Sequence, residues 1–124
     1  MARKHISQFD QTERAFVHGY IRTHADRITG KHHFYDRASE RAFTLDDARE
    51  AIRNGLVIEA HNDKAPDVRV LVRNQTGTCA VLSLNTLEVI TVYYNAPEDT
   101  HAGMNWTPYT WRTDLTQVVK SLRR

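Results

Sequence analysis

Apolar residues recur every three to four positions over the first part of the chain. Phe9, Phe16, Val17, Tyr20, Ile21 and Ala25 make one stripe, which predicts a helix over residues 8–27. Ser7 is placed to cap it, and Asp10 and Glu13 lie where the helix dipole favours negative charge. Gly30 is the expected stop. A second helix is predicted over residues 32–41. A third starts at Thr44, whose hydroxyl caps while Asp47 reaches back, and its stripe is Leu45, Ala48 and Ile52. Asn54–Gly55 ends it, because glycine tolerates the left-handed conformation that closes helices.

The period then changes from helical to two. Strands are predicted over residues 56–60, 68–73, 78–84 and 87–94, separated by a loop at 62–67 containing Pro66 and by turns at 74–77 and 85–86. Turns this short favour antiparallel neighbours. Alternation puts Val68, Val70 and Val72 on one face and Arg69 and Arg73 on the other; Leu87, Val89, Thr91 and Tyr93 share a face opposite Ile90, Val92 and Tyr94. Residues 95–110 read as a loop with Pro97, Gly103 and Pro108. Thr113 then caps a short final helix through Leu115, Val118, Val119 and Leu122. The expected fold is α+β: N-terminal helices, a four-stranded antiparallel sheet and a short C-terminal helix, in a single domain over residues 1–124.

Composition narrows the setting. A length of 124 residues, 40% hydrophobic and 26% charged, fits one globular domain. The lone Cys79 excludes an internal disulfide and a multi-cysteine zinc site, and it fits a reducing cytoplasm. No apolar run follows the basic N-terminus, so neither a signal peptide nor a membrane span is expected. The net charge of +2 permits nucleic-acid contact without requiring it, and seven histidines add charge as pH falls.

The most informative run is residues 33–41. On a helix, His33, Arg37 and Arg41 share a face, one turn apart. Clustered cations cost energy unless an anion offsets them, and arginine's planar fork suits phosphate oxygens. The alternative, of equal weight, is a solvated face neutralised by Asp36, Glu40 and other carboxylates. His33, rather than the adjacent His32, shares the arginine face and can act as general acid or base. On the sheet, Arg69, Thr91 and Tyr93 converge if their strands pair suitably; taken singly, threonine and tyrosine are simply good strand formers. His101, Trp106, Tyr109 and Trp111 can stack on bases, although such residues more often pin a loop to the core. No histidine pair has metal-binding spacing beside a carboxylate, and there is no phosphate-binding glycine loop or nucleophile elbow. No cofactor or metal is expected.

An ordered series of pieces carries a resemblance: His33-x-x-x-Arg37-x-x-x-Arg41, Phe43-Thr44-Leu45-Asp46-Asp47-Ala48, Asn54-Gly55-Leu56-Val57-Ile58-Glu59, Arg69-Val70-Leu71-Val72 and Val89-Ile90-Thr91-Val92-Tyr93. Over residues 33–94 the chain resembles a family of small bacterial and phage proteins classed as a domain of unknown function. That family looks like a branch of the barnase–EndoU–colicin–RelE superfold of ribonuclease toxins. Phe34 and Ala38 depart from its usual alanine and methionine. The resemblance treats residues 1–30 as an added N-terminal helix, 31–95 as the family-like core and 96–124 as an added aromatic loop and helix. It implies a helix pair before a curved antiparallel sheet, and RNA cleavage with His33, Arg37, Arg41, Arg69 and Thr91, then Tyr93, as site residues. The expected activity is metal-independent endoribonucleolytic cleavage of toxin type. The rival is a non-catalytic phage or mobile-element protein that binds a host protein, antitoxin or immunity partner through the N-terminal helix or the aromatic tail.

Overall fold

A computed structural model describes residues 2–31, 34–64, 66–96 and 108–122. The helices are α1 (Gln11–Thr23), α2 (Phe34–Glu40), α3 (Leu45–Asn54) and α4 (Leu115–Leu122). The strands are β1 (Arg3–His5), β2 (Thr29–Gly30), β3 (Leu56–Lys64), β4 (Asp67–Arg73), β5 (Thr78–Ser83) and β6 (Glu88–Tyr94).

The sheet corrects the expected one. It has six strands in the order β1-β3-β4-β5-β6-β2 and is mixed, because β2 runs parallel to β6 while every other pair is antiparallel. The four expected strands form its centre. The edges, residues 3–5 and 29–30, flank the helix expected over residues 8–27. Single 3₁₀ turns at Ile6–Gln8 and Ala25–Arg27 bracket α1, so the long predicted helix is a shorter one between two strands. Asp10, not Ser7, caps α1: its carboxylate accepts the Glu13 amide at 2.7 Å while Glu13 accepts the Asp10 amide at 3.1 Å. The predicted loop at 62–67 is mostly strand, since β3 extends to Lys64 and pairs it with Asp67. At α4, Asp114 rather than Thr113 supplies the capping oxygen, to the Thr116 amide at 3.0 Å.

Helix α3 starts and stops where expected, but Gly55 is extended (φ −89°, ψ −177°) rather than left-handed. Thr44 and Asp47 make the reciprocal cap, and the helix stops at Gly55. A β-carbon at Gly55 would lie 2.3 Å from the Ala51 carbonyl and 2.7 Å from that of Arg73, so only glycine lets the chain pass directly into β3.

One face of the sheet carries the main core. Val57, Ala60, Val70, Val72, Ala80, Leu82, Val89 and Val92 pack there against Val17 and Ile21 of α1, Phe34 and Ala38 of α2, Ala48 and Ile52 of α3, and Leu115 of α4. Each large aliphatic group buried this way is worth roughly 1.5–3 kcal/mol over leaving it exposed. At the rim, Lys4 of β1 turns into this side. Its ammonium meets Glu13 at 2.5 Å and the Thr113 carbonyl at 3.1 Å, and Glu13 also accepts the Leu115 amide at 2.9 Å. One buried carboxylate therefore joins β1, α1 and the start of α4. Burial alone would raise its pKa, but the Lys4 bond and the Leu115 and Asp10 amides outweigh it and hold the carboxyl below its usual range.

Candidate active site

The second face of the sheet is the candidate site. Its middle is a small apolar floor of Ile58, Leu71 and Cys79, extended by Val81 and Tyr93. Polar side chains flank that floor at both ends.

At the β6 end stand Arg41 and Thr91. The simple alternation predicted for β6 fails in its first half. The register shifts between Val81 and Leu82, which pair with Thr91 and Val89, so Ile90 is an extra residue. The bulge leaves Val89 and Val92 both in the main core, and Thr91 and Tyr93 then share the face of Val81 and Cys79. Thr91 and Tyr93 are thus on one face as expected, but Val89 is not with them.

Helix α2 packs along β6 beyond the short β2. It ends before Arg41, in a turn where Ala42 takes a left-handed conformation (φ 60°). The Phe43 amide bonds the Ala38 carbonyl at 2.8 Å and the Ala42 amide bonds that of Ser39 at 3.1 Å, the double bond pattern that closes helices. This turn delivers Arg41 to the strand. Its Nη1 donates to Thr91 Oγ1 at 2.9 Å and to the Val92 carbonyl at 3.1 Å. The helix arginine and the late-strand hydroxyl named by the resemblance therefore touch. His33 and the Arg37 side chain lie outside the described residues, as do His32, His101 and Trp106.

At the β3–β4 end is a denser polar group. Arg69 faces His61 across the strand pair, and Arg3 of β1 faces His61 from the other side. Arg69 donates Nε to Asp67 at 2.8 Å, and Ser83 Oγ donates to the same carboxylate at 2.5 Å. Arg3 spans Glu59 at 3.3 Å and Asp63 at 3.1 Å. Glu59, only 2% exposed, also accepts the Tyr109 hydroxyl at 2.8 Å. Burial and that carboxylate raise the Tyr109 phenol well above its usual pKa. His61 Nδ1 lies 3.6 Å from Asp63 Oδ2. Burial lowers the His61 pKa, against the opposing pull of Asp63 and Glu59, so the ring is neutral at neutral pH.

The structure thus brings Arg41 to Thr91 but puts Arg69 two strands away, on β4. From β3 to β6 the face spans three strand spacings, about 14 Å. Tyr93 stands beside Cys79, two residues along β6 from Thr91 and on the side away from Arg69. Burial pushes its phenol up to about 12, so at neutral pH it is a neutral hydroxyl and a weak proton donor. Sequence reasoning missed Glu59, His61 and Asp63. The signal was present as Glu59-x-His61-x-Asp63, three titratable residues two apart, which share a face once β3 is known to continue past Ala60.

Of the aromatic tail, Tyr109 and Trp111 are buried, in line with the pinning role. Backbone bonds from Arg3 to Pro108 (2.9 Å) and from Trp111 to Arg3 (3.0 Å) lay this segment along β1. Among the described residues no group of three or more His, Cys, Asp or Glu side chains could hold a metal ion, and no helix is long and apolar enough to cross a membrane.

Neither the curated proteins nor the solved structures contain a match to this chain. One family model does match, over residues 31–101, a span that begins just after β2 and takes in α2, α3 and the four central strands. That span is more than half of the sequence, and the chain belongs to the family described as Domain of unknown function (DUF4258).

Proposed function

We propose that this protein is a metal-independent endoribonuclease of toxin type, cleaving RNA on the second face of its sheet, opposite the helices, by attack of a 2′-hydroxyl on the adjacent phosphate. The observation that carries the reading is the contact of Arg41 with Thr91, 2.9 Å, on the same sheet face as the small buried apolar cluster of Ile58, Leu71 and Cys79. Arg41 commits only Nη1 there, and its other donors can meet phosphoryl oxygens. Preorganised cations aimed at charge that develops during reaction are worth several kcal/mol in a site sheltered from water. Arg37 and Arg69 act in the same sense in this reading, His33 exchanges the proton, Thr91 orients the phosphate, and Tyr93 packs beneath a base.

The test is incubation of the purified chain with total RNA in excess chelator. Cleavage leaving 2′,3′-cyclic phosphate ends, lost on His33→Ala and Arg37→Ala with folding intact, supports the proposal. Full activity in both variants sinks the assigned residues, and intact RNA with the wild-type chain sinks the activity.

A second reading, a non-catalytic binder of a host protein, is favoured by one feature. Ala15, Phe16, Gly19 and Tyr20 of α1 line an apolar hollow of about 390 Å³ with Val119 of α4, and Phe16 is 37% exposed there. Intact RNA together with a partner that is lost on Phe16→Asp would favour this reading.

A further inference from the structure

We propose that His61 is the catalytic base on the second face, taking the 2′-hydroxyl proton while Arg69 holds the attacked phosphate across the β3–β4 pair. The proposal rests on the RNA-cleaving reading of that face and assigns to it a residue that no motif in the sequence singled out.

Three observations carry it. First, His61 differs from the other described histidines. His5 Nδ1 meets the Ser7 hydroxyl and amide. His18 is held at both nitrogens, by the Arg14 carbonyl at 2.9 Å and the Val57 amide at 3.0 Å. His24 Nδ1 is 2.8 Å from the Tyr20 carbonyl. His61 has no hydrogen bond to either ring nitrogen among the described residues, and its Nδ1 is buried without a partner.

Second, the direct neighbour of His61 can bind a phosphate. His61 and Arg69 are registered partners, and side chains so paired stand roughly 5 Å apart at Cβ. Arg69 spends Nε on Asp67 and keeps both terminal nitrogens uncommitted. That is the fork that suits two phosphoryl oxygens.

Third, the carboxylates that face His61 already hold donors. Glu59 is taken by Arg3 and Tyr109, Asp67 by Arg69 and Ser83, and Asp63 by Arg3. The two guanidiniums, Arg3 and Arg69, offset two of these three negative charges. Asp63 has a further use. A proton on His61 Nδ1 faces its Oδ2 at 3.6 Å, which leaves the lone pair on Nε2. Asp63 is then a positioning residue, acting through the ring.

The step balances without an added reactant. The 2′-hydroxyl proton passes to His61 Nε2 as the O2′–P bond forms. The P–O5′ bond breaks and the departing oxygen takes its proton from the general acid of that reading, His33, which regains one from water as the His61 imidazolium returns its own to the hydroxide so formed. Products are a 2′,3′-cyclic phosphate and a free 5′-hydroxyl. Burial of the ring among Arg3, Glu59, Asp63 and Arg69 keeps it in the neutral form that this step requires.

The experiment uses the full chain and a mixed-sequence oligoribonucleotide in excess chelator, with rates followed from pH 5 to pH 8. The expected wild-type profile falls on the acid side with a midpoint below the ordinary histidine value of about 6.5. His61→Ala and His61→Gln are expected to cut the rate by roughly 100-fold or more, the scale of a lost general base. Added imidazole is expected to restore part of the rate in His61→Ala, and Asp63→Asn to weaken the acid limb while keeping residual activity. A folded His61 variant within threefold of wild type overturns the assignment and leaves the RNA reading standing. A wild-type profile that stays flat to pH 5 also overturns it, with no variant needed. No cleavage by wild type overturns the RNA reading itself, and the assignment with it.

Discussion

The two faces of this sheet solve opposite problems with the same strands. The covered face meets α1, α2, α3 and α4 through aliphatic side chains, and its buried charges at the rim, Lys4 and Glu13, are paired at 2.5 Å. The second face keeps Arg3, Glu59, His61, Asp63, Asp67 and Arg69 together around β3 and β4. Buried charges rarely improve stability over well-packed apolar groups of similar size. Such a cluster beside an apolar floor is what a reactive or ligand-binding face looks like, whereas the covered face reads as scaffold. The difference teaches where substitutions should cost folding and where they should cost activity.

The largest effect should come at the covered rim. Glu13→Ala strands the Lys4 ammonium and the Leu115 amide, and breaking such a buried pair costs roughly 3–5 kcal/mol. Urea unfolding should read this as a large drop in midpoint, and an unchanged midpoint would erase the contrast between the faces. Leu82→Ala, in the middle of the same side, should lose about 2–5 kcal/mol through the cavity it leaves. Its residual cleavage should track only the folded fraction.

On the second face the expectation reverses. Arg41→Ala should slow RNA cleavage by roughly 100-fold, in the range seen when one donor to a developing oxyanion is removed. Because its contacts are at the surface, stability should move by less than about 1 kcal/mol. A smaller effect concerns pH. His18 on the helical side and His61 on the second face both have pKa values lowered by burial. A folded value below the unfolded one means that the unfolded chain binds more protons. Stability is therefore fully present above about pH 6.5 and declines as pH falls below it. His18→Gln should flatten part of that slope in thermal melts, and a melting temperature independent of pH between 7 and 5 would contradict both directions. The smallest effect is at Ala42, whose left-handed backbone glycine adopts without penalty. Ala42→Gly should raise stability by under about 1 kcal/mol and leave cleavage unchanged.

Much of the frame was legible in the sequence, and the gaps have physical causes. The Thr44–Asp47 cap, the Asn54–Gly55 stop and the three central hairpins are local features, written in neighbouring residues. The edge strands are not. β1 is Arg3-Lys4-His5, with no apolar alternation; it is a strand because it pairs with β3 and because Lys4 finds Glu13. β2 is two residues long and exists only against β6. The bulge at Ile90 inverts half of an alternation that periodicity alone reads as regular. At the site, Arg41 and Thr91 could each be named from the sequence but their contact could not, and His61 was hidden because the strand that carries it was read as a loop beyond Ala60.

RNA is proposed to lie on the second face of the sheet, opposite the helices. Methyl NMR tests it most directly, with a 2′-deoxy oligonucleotide that can bind but cannot be cleaved. Shifts are expected at Ile58, Leu71 and Val81, on the floor, and none at Val70, Leu82 and Ile52, on the covered side. Shifts confined to residues of α1, or no shifts at the floor under saturating oligonucleotide, would contradict it.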